Sequence, residues 1–401
     1  MLRGPKMNKP HAMLRSISCC LCMLMLISGC DFQIGDWGQA KYERTIQQQT
    51  PLSPGSNLHA DTSLGSIVIT GGDVTECSVI ATITGRAPTQ EQAQLLAEQV
   101  KIELETVGNT LTVKAEKPPR KNRRSISISY DITVPKQTNI ECASSYGSID
   151  ISNIKGKTSG KTSSGSIEAK NIEGSANLDT SYGSVKCRNI AGDNITAKSS
   201  SGSITAEIIK GSAQLTTSYG SITCTDMSGG DIRLKTSSGK IKIYNASFDE
   251  CDAHTSYGSI VSDELRGRSI KLNSGSGSIN LTASSADTTN LYTSYGRITC
   301  RQITANDVTA RSGSGNIDIA FSESTPGQIV ADLDTSYGSI DFTAPQNFAG
   351  QVDLSTSYGS IRTSRPITIQ GEFSKKELKG TIGEGSGKLH LHTGSGSINL
   401  Q

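Results

Sequence analysis

The chain has few aromatic residues and few histidines. Aromatics make up 4% of 401 residues and Trp37 is the one tryptophan, which excludes a conventional core built on large aromatic anchors. Five histidines leave little material for His-based catalysis or a multi-His metal site. Charge of one sign is also lacking: 39 basic against 37 acidic residues give a net charge of +2. No overall field therefore draws in nucleic acid or another strongly charged partner. A second apolar stretch of membrane-spanning length is absent after residue 30.

The one apolar run sits at the N-terminus. Arg3, Lys6, Lys9 and Arg15 precede Ile17–Ile27, and the run ends in small residues. This is the pattern of a secretory signal, too short for an ordinary transmembrane helix. Met13–Gly29 alone carries all three signal regions. Ile27-Ser28-Gly29-Cys30 resembles the bacterial lipobox. The resemblance implies a diacylated Cys30 thiol, cleavage before it and acylation of the new N-terminus. Two or three chains anchor stably, whereas one does so marginally. The alternative is an ordinary signal peptide with a chance cysteine. Asp31 resembles the inner-membrane retention signal of enterobacterial lipoproteins.

Residues 1–29 are thus read as signal peptide and 30–57 as a tether, since Gln47–Gln49 are followed by Pro51, Pro54 and Gly55. Residues 58–140 read as an N-terminal cap of strands with one short helix. That helix opens at Thr89, a plausible N-cap, and Leu95, Leu96, Val100 and Leu104 recur at helical spacing. The loop Lys117–Arg124 holds five basic residues and two prolines. Such a loop suits either solvent or an anionic headgroup layer near the anchor.

From Gly147 the chain repeats. Gly-x-(Ile/Val) recurs at Gly147, Gly165, Gly183, Gly202, Gly220, Gly239, Gly258, Gly277, Gly296 and Gly315, every 18 or 19 residues. It returns at Gly338, Gly359 and Gly396. Two, four and seven residues after each Gly the chain is mostly apolar, as in Ile204, Ala206 and Ile209, and a further apolar position precedes the next Thr-Ser. Alternation marks a strand with one face inward, and the jump from four to seven marks a corner. One unit cannot bury so few apolar residues alone, but stacked units form a continuous column. The fold expected is all-β, a parallel β-helix (β-solenoid) of 18–19-residue coils over 141–361, with irregular C-terminal coils and a cap over 362–401. At about 4.8 Å per coil, thirteen units make a rod on the order of 60 Å.

The repeated Thr-Ser-Tyr-Gly-Ser-Ile and Ser-Ser-Gly-Ser-Ile units resemble the bacterial β-strand-repeat "putative adhesin" family, which is related to the toast-rack domains. The run Ser125–Pro135 leading into Ser144–Ile149 resembles the entry region of that family. The resemblance covers roughly residues 58–400. It implies a parallel β-helix, right-handed, in the cell envelope, and supplies no catalytic residues.

The residue before each repeat glycine alternates between Tyr and Ser until the last two units: Tyr146, Tyr182, Tyr219, Tyr257, Tyr295, Tyr337 and Tyr358 are the tyrosines. Two readings follow. The rings fill a tight corner against small neighbours, which the position beside a core-phase glycine favours, or they form a stripe that binds a glycan ring. Cys187, Cys224 and Cys300 share one inward position, two and four coils apart. Two coils is about 9.6 Å, beyond the roughly 7 Å reach of a disulfide, and a zinc site fails on the same spacing. For Cys77, Cys142 and Cys251 a bridge stays open. Outward positions three after the glycine mix signs, from Asp150 and Glu168 to Lys186 and Lys242, without the acidic cluster that polysaccharide-cleaving β-helices use.

The function expected is a non-catalytic, lipid-anchored envelope protein, adhesin-like or envelope-stress related. No catalytic residue, metal or cofactor is assigned. Its partners would be membrane lipid through Cys30 and a cell-wall polymer, a glycan or another envelope protein, but not nucleic acid. A polysaccharide-active β-helix enzyme is the alternative. The phase assignment predicts that Ile222→Asp, which buries an unpaired charge between Ile204 and Ile241, costs several kcal/mol. Limited proteolysis should open the chain near residues 200–245, whereas Thr223→Asp should be nearly silent. Equal cleavage of both variants would contradict the phase.

Overall fold

The computed structural model describes residues 25–27, 40–119, 124–369 and 374–401. Its body is a β-solenoid of about 11 coils whose parallel strands recur about 19 residues apart. The isoleucine two after each glycine pairs in register with its equivalents, as Ile149↔Ile167, Ile204↔Ile222 and Ile222↔Ile241. These side chains are fully buried, as are Ile209 and Met227 at the seventh position. The Cys187–Ala206–Cys224 pairing places the cysteines in one inward column.

At both ends spatial order departs from chain order. Ile67–Gly72 lies between Ser125–Pro135 and Ile149–Ile154. Ile398–Leu400 lies between Ile340–Thr343 and Ile361–Thr363, and Gly387–Thr393 lies between Val330–Thr335 and Gly350–Thr356. The last coil is thus regular rather than irregular, and it is threaded between two earlier ones. Glu377–Ile382 runs antiparallel to Gly350–Thr356 and closes that end.

The tether expected over 30–57 does not extend past residue 39. Ala40–Pro51 is a strand, paired antiparallel along its full length with Glu76–Ala87, which pairs in turn with Ser125–Pro135. One of its glutamines serves the cap: Gln48 Nε2 donates to the Ile102 carbonyl at 2.8 Å. The helix is shorter than its apolar spacing suggests. It spans Gln90–Glu98, capped by Thr89, whose Oγ1 accepts from the Gln92 N–H. Ala93, Leu96 and Ala97 are its buried residues while Leu95 is exposed. Leu104 lies in the strand Lys101–Val107, drawn there by antiparallel pairing with Thr110–Glu116. Gly85 lets the helix approach, since a Cβ there would overlap the Ala93 carbonyl oxygen.

Two corners recur from coil to coil. At one, a Thr or Ser three before the glycine is buried and bonds twice. Thr217 Oγ1 accepts from the Gly220 N–H at 3.3 Å and donates to the Gly202 carbonyl of the preceding coil at 2.9 Å. The relay recurs from Ser144 to Thr393. The glycines are obligatory there, because a Cβ on Gly220 would overlap the Gly202 carbonyl, and likewise along the column.

At the other corner, six after the glycine, the backbone is left-handed in nine successive coils. Asn is favoured in that region, and side chains of Asn153, Asn171 and Asn189 form a hydrogen-bonded ladder at 2.9 and 2.8 Å. Ile208 occupies the same corner at φ 57°, between Asn189 and Asp226, and is 45% exposed. A β-branched residue there costs roughly 1–2 kcal/mol. Ile208→Asn should therefore raise stability by about 1 kcal/mol, seen as a higher urea midpoint. An unchanged or lower midpoint would contradict the strain.

Candidate functional site

The corner that carries the hydroxyl relay also sets the direction of the residue before the glycine. The inward place is taken by the Thr or Ser, and the glycine leaves no room for a side chain. The residue just before the glycine therefore points out. All seven tyrosines do: Tyr146 is 68% exposed, Tyr182, Tyr219, Tyr257, Tyr295 and Tyr337 are 70–71% exposed, and Tyr358 is 83% exposed. The corner-filler reading is thus overturned. Proximity to a core-phase glycine is a poor guide to burial here, because the core at that corner is filled by the relay hydroxyl.

The tyrosines form one column on successive alternate coils. Ser164, Ser201, Ser238, Ser276 and Ser314 occupy the coils between, all exposed. The apparent break at the last two units disappears in space. Gly396 packs on Gly338 and Gly359 packs on Gly396, so Ser395 stands between Tyr337 and Tyr358. Alternation then runs unbroken from Tyr146 to Tyr358. The backbone beneath is fixed: the N–H groups of Tyr182, Tyr219 and Tyr257 donate to carbonyls of Ser163, Ser200 and Ser237 one coil away at 2.9–3.1 Å. Lys376 Nζ lies 5.9 Å from the centre of the Tyr358 ring. The column just after the glycines is mostly serine, interrupted by Lys240, Arg297 and Asn316.

The flanks away from this column carry mixed charge. Asp150 has its carboxyl held above the usual range, by burial and then by Glu168. Lys186 approaches Glu168 at 4.0 Å, and Arg301 approaches Asp318 at 3.6 Å. Asp332 is raised by burial but lowered more by hydrogen bonds from His390 and Arg311, so it stays below its ordinary value. His392 Nδ1 meets the Ser355 hydroxyl at 2.9 Å, and His59 meets Asp61 at 2.8 Å. Among the described residues no group of three or more His, Cys, Asp or Glu is placed to hold a metal ion. The six described cysteines are free and buried, which answers the open question for Cys77, Cys142 and Cys251. Burial pushes the Cys187, Cys251 and Cys77 thiols up to about 12, so they are not thiolate nucleophiles.

A groove of about 1010 Å³ lies at the N-terminal end, lined by His59, Asp61, Glu103, Lys114, Glu116 and Lys161 among others. It draws on strands distant in sequence, so no local pattern announces it. The relay threonines carry no functional motif that sequence reasoning finds, although a Thr or Ser stands three before every ladder glycine. Cys30, Asp31 and residues 120–123 of the basic loop lie outside the described residues. No helix among those described is long and apolar enough to cross a membrane.

The Toastrack DUF4097 family model matches residues 121–229 and 222–401. Among solved structures, the chain is similar to a "putative cell adhesion protein" from Clostridium sporogenes, at 9% identity over 89% of this chain and 98% of that one, with a TM-score of 0.17. It is similar to a "putative adhesin" from Bacteroides fragilis at 14% identity over 89% and 97%, TM-score 0.19. A "putative lipid binding protein" from Parabacteroides distasonis shares 13% identity over 89% and 96%, TM-score 0.24. No curated protein matches the chain.

Since the tyrosine rings bury little on folding, Tyr219→Ala should change stability by no more than about 0.5 kcal/mol, as surface substitutions do. A thermal melt measures this. A loss on the order of 3–5 kcal/mol, the cost of a core void, would restore the filler role.

Proposed function

The chain belongs to the Toastrack DUF4097 family, and from that premise we propose that it is a non-catalytic, lipid-anchored cell-envelope protein whose rod displays the tyrosine column to a partner. The observation that carries this reading is the unbroken column of seven exposed rings. Isolated exposed apolar residues need no explanation, but an aligned set on one edge marks an interaction surface. Tyrosine suits such a surface, offering large amphipathic contact area at small entropic cost. The mixed-sign flanks argue against the polysaccharide-cleaving alternative, which needs clustered carboxylates.

Anchoring is proposed through Cys30, with Asp31 directing retention at the inner membrane. Ala40, where the cap begins, follows Cys30 by ten positions, so the cap would face the membrane and the tyrosine column would point away from it. The buried, high-pKa thiols suit a location outside the cytoplasm, since they resist oxidation.

Cys30→Ser should yield an unacylated protein that leaves the membrane fraction. Retention with unchanged mobility would contradict the anchor. Separately, replacing Tyr182, Tyr219 and Tyr257 by Ala should abolish recovery of crosslinked envelope material by the otherwise stable protein. Undiminished recovery would place the binding surface elsewhere.

A further inference from the structure

We infer that the tyrosine column takes an extended β-1,4-linked polysaccharide, laid along the rod axis with one disaccharide for each tyrosine. This rests on the binding role proposed above and names its ligand class. The argument begins with the period. Rings stand on alternate coils, so their repeat is about 9.6 Å, twice the inter-strand spacing. In an extended β-1,4-linked chain successive pyranose rings are flipped, so rings of one orientation recur once per disaccharide, at nearly this distance. Each tyrosine can then stack on the C–H face of every second sugar. The serine on the coil between presents a hydroxyl to the sugar that has turned away.

Three further observations narrow the ligand. First, alternation is kept where chain order would break it. Tyr337 and Tyr358 belong to consecutive units in sequence, and the threaded last coil places Ser395 between them. A surface reading only aromatic content would not need that spacing. Second, the serine borders are nearly uncharged, with Lys240 and Arg297 the basic interruptions. Single-stranded nucleic acid also stacks on aromatic platforms, but it needs a continuous basic track for its phosphates. Third, the surface is strictly periodic along one line. A folded protein partner without repeats has no such period, whereas a linear polymer does. Six intervals give a contact on the order of 58 Å, and rings held on hydrogen-bonded backbone keep the ordering cost low. Many weak stacks in register then add as linked sites do.

The test uses the full mature chain in soluble form, carrying Cys30→Ser, titrated calorimetrically with β-1,4-linked N-acetylglucosamine oligomers. Affinity should rise roughly tenfold per added disaccharide from tetramer to octamer. The α-1,4-linked glucose hexamer and the β-1,3-linked hexamer should bind at least about tenfold more weakly than the β-1,4-linked hexamer. The decisive variant exchanges two residues, Tyr257→Ser with Ser276→Tyr, and so keeps composition while moving the central ring out of register, which leaves three rings in register on either side. It should melt as the parent does and lose the gain from hexamer to octamer. Equal binding of all three linkages, or an undisturbed length dependence in the exchange variant, overturns the inference. If no oligomer binds but the triple Tyr→Ala variant still loses envelope material, the polysaccharide assignment falls and the binding role stands. If sedimentation shows a tyrosine-dependent dimer and no sugar binding, the column is a self-association surface and the inference is wrong.

Discussion

At one corner of each coil a glycine carbonyl lies where a side chain of the next coil would otherwise be. The other properties of the rod depend on that contact. It holds neighbouring backbones close enough for a single hydroxyl to serve both, accepting from the glycine N–H of its own coil and donating to the glycine carbonyl of the coil before. Each hydrogen bond is worth about 1 kcal/mol net, but leaving a buried carbonyl or N–H without its partner costs more. The corner therefore admits Gly at one position and Thr or Ser at another, and little else. Every coil must place that corner directly above the last, which locks register along the stack and brings the isoleucines into one column.

The same contact determines what the surface displays. With the inward place filled by the relay hydroxyl, the residue before the glycine is free of packing demands and its identity reports on the outside. Tyr and Ser alternate there with a two-coil period that the core, repeating every coil, does not require. Surface ion pairs such as Arg268 with Asp249 and Glu250 are exposed and contribute little to stability. They keep the flanks mixed in sign and leave the tyrosine edge as the uniform feature of the rod.

Local periodicity makes much of this legible in the amino-acid sequence. The inward positions, the corner between the fourth and seventh residues, and the shared column of Cys187, Cys224 and Cys300 all follow from it, because a local period carries over directly when coils stack in parallel. What is not legible depends on contacts between distant segments. Ala40–Pro51 has a Gln run and no strong apolar alternation, and only its pairing with Glu76–Ala87 makes it a strand. The spacing of Val100 and Leu104 imitates a helix, but Thr110–Glu116 claims Leu104 for a sheet. The threading of Ile398–Leu400 between two earlier coils cannot be seen from a linear count, so the tyrosine alternation looks broken along the chain although it is continuous in space. The outward direction of the tyrosines is hidden because a hydroxyl, not a ring, completes that corner. A Thr or Ser three before each glycine is the signal that points to it.

Hydrogen exchange on Gly220→Ala tests the corner contact most directly, with Ser238→Ala on the outer edge as the control. The added methyl group would overlap the Gly202 carbonyl and force the two coils apart. Amides from about residue 202 to 241 should then lose protection while coils near either end keep theirs, and Ser238→Ala should exchange as the parent does. Unchanged protection around Gly220 would mean that the coils tolerate a side chain at this corner, and that something other than the glycine contact sets the stack.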